Sequence, residues 1–440
     1  MRVRFPLRMR NAVRTSVPAI VLGGAVNALS VARNLGRHGI EVVAVNYPHE
    51  AIRFSRYARL VFLKNGYSPD EWERFLLSGD SDRLRGAALL ACSDEAISII
   101  VNNYSALAQK FLLEEGDPLV RRDLLNKFTI CRRAEEAGVP TVGYWHVGSK
   151  EELEQIIDRL PFPLIMKPLY GPNATLIRSK AVLLPDRGAL RERFGAAMQL
   201  GVGVLLMEYI PGGDDRLCSY YTYLDENGNA LVHLTKRLKR RYPCGSGDGT
   251  YHITEWIPDA AELGARFFRH VKLRGLGNIE FKRDARDDQL KIIEVNARFT
   301  ASDCLIAKSG VNLPLITYNR LTGRPQDSAF DYKTPLTLCR VYQDARAAWE
   351  LRRRGELRLT QWIADLGRIN QFPLFDWKDP MPAIASCWQF AGRAGKRFVA
   401  GLRSSRNSWA GEKVRMEKAV ALAGRDTGRL PHDARSRAAE

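Results

Sequence analysis

The segment Ala19-Ile-Val-Leu-Gly-Gly24 limits the folds open to this chain more than any other part of the sequence. Four apolar residues run into two glycines, and apolar residues then recur at helical spacing through Leu29, Ala32 and Leu35. A second apolar run, Glu41-Val-Val-Ala-Val-Asn46, follows directly. Strands apolar on both faces belong inside a sheet covered on both sides, and two strands joined through a helix are parallel. The expectation is a βαβ unit opening a small doubly wound domain over residues 17–120. Residues 60–63 and 88–91 supply further strands, the latter carrying Ser93-Asp94 at its carboxyl end. Ala25 and Ala28 break a G-x-G-x-x-G fingerprint, so the glycine pair reads as a packing device rather than a dinucleotide site.

Beyond residue 120 the pattern changes to strands and hairpins. An amphipathic helix is expected over residues 123–138, stopped by Gly138-Val-Pro. Strands follow at 162–168, 180–184 and 202–208, with a small polar loop over 169–178. Residues 217–224 and 230–237 flank the turn Asp225-Glu-Asn-Gly228, and 277–282 pairs with 289–295 across a second polar turn. Helices are expected at 301–308 and 313–321. After Pro325 the periodicity weakens into an arginine-rich stretch carrying Trp349, Trp362, Trp377, Trp388 and Trp409, and the last twenty residues read as a polar, disordered tail.

Chemistry concentrates on the second hairpin. Glu280 lies on one strand, and Glu294 and Asn296 lie two apart on the next, so their side chains share a sheet face. Two carboxylates and an amide oxygen are hard ligands suited to magnesium carried by nucleotide phosphates. Carboxylates interrupting an apolar strand are costly unless something neutralises them; surface ion pairs at a sheet edge are the plainer reading. Lys167 closes the apolar strand Leu164-Ile-Met and either snorkels or faces an anion. Met207-Glu208-Tyr209-Ile210-Pro211-Gly212-Gly213 is a strand running into a turn whose backbone could read a base edge, and taken alone it is an ordinary turn. Lys236-Arg237-Leu-Lys239-Arg240-Arg241 forms a basic stripe for a phosphate, a carboxylate or nucleic acid, and Gly245-Ser-Gly247-Asp-Gly249 after it suggests a mobile loop or a close backbone approach.

Lys and Arg number 67 against 49 Asp and Glu, a net charge of +18 that speaks of anionic partners rather than fold. Arg2, Arg4, Arg8, Arg10 and Arg14 crowd the start and read as a basic tail. No apolar run reaches the roughly 18 residues of a membrane span. Seven cysteines without a C-x-x-C pair argue against a zinc site or a disulfide framework and for a reducing compartment. The seven histidines show no metal-ligand spacing and read as structural.

The order of these pieces resembles the ATP-grasp superfamily over residues 17–325: a βαβ domain, Asn126-Lys127, Met166-Lys167-Pro, Met207-Glu208-Tyr-Ile, then the Glu280 and Glu294-Val-Asn296-Ala-Arg298 strands. Within it, Val21-Leu-Gly-Gly-Ala-Val-Asn27 and Arg298-Phe-Thr-Ala-Ser302 are similar to carboxylate–amine ligases such as the D-aspartate ligases, and to the grasp halves of carbamoyl-phosphate synthases. The resemblance implies an α/β and α+β architecture: a Rossmann-like domain at 17–120, an ATP-grasp domain at 121–325, a basic Trp-rich extension at 326–420 and the tail at 421–440. It implies that Lys127 and Lys167 contact ATP phosphates, and that Glu208, Tyr209 and Ile210 hold adenine. The resemblance would bring Asp215 to the ribose, although the adjacent Asp214 competes for that role. By the same resemblance, Glu280, Glu294 and Asn296 would hold Mg2+ or Mn2+, and Arg298, helped by Lys236, would stabilise an acyl phosphate and its adduct. Gly171-Pro-Asn-Ala-Thr has fewer glycines than the family's phosphate-covering loop.

The implied activity is ATP-dependent coupling of a small-molecule carboxylate to a nucleophile, an amine above all, in the cytoplasm, with cell-envelope or exopolysaccharide precursors as a suggested setting. A homodimer and a peripheral membrane contact through the Trp-rich region are further expectations; no nucleic-acid partner is expected. A basic nucleic-acid-binding protein and a non-catalytic ATP-binding relative are the competing readings. The first leaves the Glu280, Glu294 and Asn296 cluster unexplained, and the intact cluster argues against the second.

Overall fold

The structure is a computed structural model describing residues 17–175, 181–324 and 327–390. The arginines before residue 15, Arg178 and Lys180, Trp409 and the tail at 421–440 lie outside the described residues. The chain divides into two compact units, Met1–Ala383 and Ile384–Glu440; of the second, residues 384–390 are described and are helical.

Among the described residues the first unit contains three sheets. The first is parallel, with strands β1 (Ala19–Leu22), β2 (Val42–Val45), β3 (Arg59–Leu60) and β4 (Ala88–Ala91) in the order β3-β2-β1-β4. Every residue of β1, β2 and β4 is buried, as their unbroken apolar runs require. The strand expected at 60–63 shrinks to Arg59–Leu60, because Phe62 is exposed and only Val61 and Leu63 pack inward. Gly23 and Gly24 turn the chain with φ of 65° and 84° into the helix Val26–Arg37. A Cβ on Gly24 would come within 2.5 Å of the Cys92 side chain, so the pair permits the close approach of β1 to the end of β4.

The second sheet is antiparallel: β5 (Tyr144–Val147), β6 (Leu164–Pro168), β7 (Val182–Leu184) and β8 (Val204–Glu208), in the order β5-β8-β6-β7. Its core includes Leu164, Met166, Leu190, Phe194 and Leu206. The expected helix at 123–138 is two helices, Pro118–Asp123 and Lys127–Glu136. The break comes from Asn126, whose side-chain oxygen accepts from the Phe128 and Thr129 amides and starts a new helix.

The third sheet carries six antiparallel strands: β9 (Leu217–Leu224), β10 (Ala230–Tyr242), β11 (Asp248–Thr254), β12 (Gly275–Arg283), β13 (Leu290–Asn296) and β14 (Thr337–Cys339), ordered β13-β12-β9-β10-β11-β14. β10 runs five residues past the expected end at Arg237, which puts the whole basic stripe on a strand. β14 draws residues beyond 325 into this sheet through β11. Among the described residues no helix is long and apolar enough to cross a membrane.

Candidate active site

Strand register assembles the site. Glu294 of β13 stands opposite Glu280 of β12, Glu280 opposite Ser219 of β9, and Ser219 opposite Lys236 of β10. Directly opposed residues of antiparallel strands share a face, so these four form one row across the sheet. Asn296 and Asn278 form the neighbouring row with Tyr221. Asn296 donates its amide to Asn278 Oδ1 at 3.2 Å, which fixes the flip and leaves its own Oδ1 as an acceptor beside the two carboxylates.

Between Glu294 and Ile292 the ladder slips by one residue, a bulge at Ile293. The bulge presents the Ile293 carbonyl to Lys167 Nζ, which donates to it at 3.1 Å. Burial pushes the Lys167 pKa down, Glu294 and Glu280 push it up and Lys127 pushes it down again, so these four charges share one field. Lys127 reaches this place because its amide donates to the Leu169 carbonyl at 2.9 Å and Gly171 donates to Leu125 at 3.0 Å. The break in the helix is thus what delivers Lys127 to the strand bearing Lys167.

The strand-to-turn segment after β8 crosses the same face. Lys282, two residues after Glu280 and buried, donates to the Ile210 carbonyl at 2.8 Å and to Gly212 at 2.7 Å, with the Tyr209 ring 5.2 Å away. Burial, and then Arg241, bring the Lys282 pKa to about 8. Glu208 pairs with Arg286, which also binds the buried Asp284. Asp214 is engaged by Arg241 at 2.6 Å and by the Gly245 amide at 3.1 Å, whereas Asp215 is exposed, which separates two neighbours the sequence leaves equivalent.

Arg298 lies where the first sheet meets the third. Its Nε donates to Asp94 at 2.5 Å, at the carboxyl end of β4. Burial works against its charge, but Asp94, with Glu294 and Glu95, raises its pKa. Asn27 clamps this junction by donating to the carbonyls of Cys92 at 2.6 Å and Phe299 at 2.9 Å. A Cβ on Gly171 would sit 2.6 Å from Asp94 Oδ2, so the turn Gly171–Thr175 meets the same carboxylate.

The basic stripe of β10 divides. Arg240 makes a two-pronged pair with Asp344, both bonds 2.9 Å, and meets Asp365 at 2.5 Å. Lys239 binds Asp365 at 2.7 Å, Arg237 binds Glu255 at 2.7 Å, and Arg241 binds Asp214. These charges hold the fold together. Lys236 alone of the stripe faces the Glu280 row, at 3.1 Å from Ser219 Oγ and 3.3 Å from His252 Nδ1.

The structure therefore gathers Lys127, Lys167, Glu280, Glu294 and Asn296 in one place, with Glu208, Tyr209, Ile210 and Asp215 along one edge, Arg298 near Glu294, and Lys236 along the row. Lys282 is an addition the sequence reading does not single out; Asp94 enters it only at the end of a strand, and His252 only with the other histidines, as structural. The alternation Asn278, Glu280, Lys282 on one strand is the signal that could have found Lys282. Among the described residues no group of three or more His, Cys, Asp or Glu could hold a metal ion alone. Two carboxylates and an amide oxygen suit a hard cation that brings phosphate oxygens with it.

A family profile described as "ATP-grasp in the biosynthetic pathway with Ter operon" matches residues 203–343, which contain the third sheet and the whole row. Over those residues the chain resembles the ATP-grasp proteins. It is 23% identical over 329 residues to D-aspartate ligase of Enterococcus faecium, covering 70% of this chain and 77% of that protein. It is 25% identical over 205 residues to the carbamoyl phosphate synthase large chain of Methanosarcina barkeri, covering 43% of this chain and 18% of that one. The ATP-grasp architecture extends well beyond the profile match. An ADP complex of N5-carboxyaminoimidazole ribonucleotide synthetase superposes with a TM-score of 0.58 at 13% identity, covering 74% of this chain and 82% of that one. An L-amino acid ligase from Bacillus licheniformis gives 0.55 at 16%, covering 71% and 75%.

Proposed function

We propose that this protein is an ATP-dependent carboxylate–amine ligase of the ATP-grasp type. The observation that carries the reading is the opposition of Glu280 and Glu294 next to a bulge that turns the Ile293 carbonyl onto Lys167. Carboxylates and a lysine concentrated on one face suit a polyphosphate with its cation. Magnesium held by Glu280, Glu294 and Asn296 would neutralise phosphate charge when ATP is bound. Lys127 and Lys167 would bind phosphate oxygens, the first from a helix N-terminus. The segment Glu208–Ile210 would take adenine, held in shape by Lys282 on its carbonyls, and the exposed Asp215 would meet the ribose.

A substrate carboxylate oxygen would attack the γ-phosphorus in line, giving an acyl phosphate and ADP. The amine would then displace phosphate, with Arg298, held in place by Asp94, meeting the charge that develops on the acyl oxygen. The D-aspartate ligase and L-amino acid ligase relatives favour an amino acid as one of the two partners. A setting in cell-envelope or exopolysaccharide metabolism is the further expectation.

The test is phosphate release from ATP and magnesium across pooled carboxylates and amines, for wild type and Glu294→Ala. Amine-dependent release that disappears in the variant supports a ligase. If magnesium-ATP neither turns over nor raises the melting temperature, the reading fails.

A further inference from the structure

Lys236 is 3% exposed and, among the described residues, no carboxylate lies within ion-pair distance of it. That sets it apart from every other charge on the stripe. Burial lowers its pKa, and the carboxylate opposing that effect is Glu280, two strands along the row. An ammonium buried without a counter-ion is costly unless a ligand supplies the negative charge. Its nearest polar neighbours are a hydroxyl and a ring nitrogen. An ammonium has donors only, so His252 Nδ1 must be an acceptor and the imidazole proton must sit on Nε2.

The imidazole is built into this role. It is 8% exposed, and burial first, then Lys236, hold its pKa well below the ordinary value, so it remains the neutral acceptor; the Gly249 backbone bonds the ring. Residue 249 has to be glycine: a Cβ there would lie 2.3 Å from His252 Cε1 and 2.5 Å from Nε2. Of the alternating glycines after the stripe, Gly249 therefore serves a close approach of strand to imidazole.

Resting on the ligase reading, we propose that His252 is a positioning residue. As the Nε2–H tautomer it orients the Lys236 ammonium along the Glu280–Ser219 row, leaving one donor to bind an anionic oxygen of the reacting pair. That oxygen belongs to the γ-phosphoryl group of ATP or to the acceptor carboxylate.

The experiment compares wild type, Lys236→Met, His252→Leu, His252→Asn and the Lys236→Met/His252→Leu double variant. The readouts are calorimetric affinities for magnesium-ATP and magnesium-ADP, and phosphate release with the pooled substrates. A lost charge-assisted hydrogen bond corresponds to about tenfold or more. His252→Leu is expected to show the same loss as Lys236→Met, and the double variant no further loss. Asparagine carries an acceptor near the Nδ1 position, so His252→Asn should stay within about threefold of wild type. Loss of preference for ATP over ADP assigns the phosphoryl oxygen; unchanged nucleotide affinity with slowed turnover assigns the carboxylate. Multiplying losses in the double variant, or a His252→Leu enzyme that behaves as wild type, would overturn the proposal. The tautomer is read separately by 15N NMR of the imidazole in the nucleotide-free protein. A proton on Nδ1 overturns the proposal even if no nucleotide binds, while failure of wild type to bind magnesium-ATP counts against the ligase reading alone.

Discussion

Arg240 and Lys236 are four residues apart on β10, both buried, and they should respond oppositely to the same substitution. Arg240 is 2% exposed beneath Asp344, which is fully buried, and Asp365, which is 4% exposed. It also stacks on the Tyr251 ring at 4.6 Å. Arg240→Met strips a two-pronged partner from Asp344, leaving Thr250 and Trp362, and leaves Asp365 with Lys239. Removing one member of a buried ion pair costs about 3–5 kcal/mol, because the remaining charge stays in a medium that solvates it poorly. At about 2 °C per kcal/mol for a large unit, the melting temperature should fall by roughly 6–10 °C. Lys236→Met removes a buried charge that, among the described residues, has no carboxylate beside it, so the melting temperature should hold or rise while turnover falls. Scanning fluorimetry of both variants without ligand is the assay. An Arg240→Met protein melting within about 2 °C of wild type, or a Lys236→Met protein losing as much as Arg240→Met, would refute this division of the stripe.

Three further outcomes follow from the same geometry. Asp303 is 1% exposed, bonded by Ser30 Oγ at 2.8 Å, and burial raises its pKa to about 7. A carboxyl raised in the folded state contributes stability that is fully present below the unfolded value near 4 and lost as pH rises through about 7; Asp303→Asn should therefore melt several degrees higher than wild type at pH 8, with the gap closing towards pH 4–5. Gly249→Ala drives a methyl into the His252 ring and should lower both the melting temperature and the turnover, by more than the same change at Gly195, where the nearest atom to a built Cβ, Lys150 Cε, is 3.9 Å away. Lys282→Met leaves the Ile210 and Gly212 carbonyls without their donor and should weaken magnesium-ATP binding by about tenfold in calorimetry, with ATP and ADP affected alike because the change lies away from the phosphates.

Much of the fold was legible because its signals are local. The unbroken apolar runs at β1, β2 and β4 announce buried parallel strands, and the two-residue spacing of Glu294 and Asn296 places both on one face. The distribution of charge on β10 was not legible. Four residues apart, Lys236 and Arg240 would share a face on a regular strand; the bulge between Leu238 and Arg240 turns them to opposite faces, and Asp344 and Asp365, more than a hundred positions away, neutralise Arg240 alone. The same limit hid the Arg298–Asp94 pair, whose members are 204 residues apart. Lys127 was expected on a continuous helix, yet its placement depends on the helix breaking at Asn126, a capping choice that amphipathic periodicity does not reveal. His252 shows no metal spacing, and its place beside Lys236 exists only once β10 and β11 pair in register.

The claim at the centre is that a carboxylate oxygen attacks ATP on the Glu280–Glu294 face. The most direct measurement incubates the protein with magnesium-ATP, pooled amines and pooled carboxylates labelled with 18O, followed by mass spectrometry of the phosphate released. Passage through an acyl phosphate leaves one carboxylate oxygen on phosphorus, so the account predicts phosphate carrying a single 18O, formed only with amine present and absent with Glu294→Ala. Amine-dependent phosphate without label would contradict it.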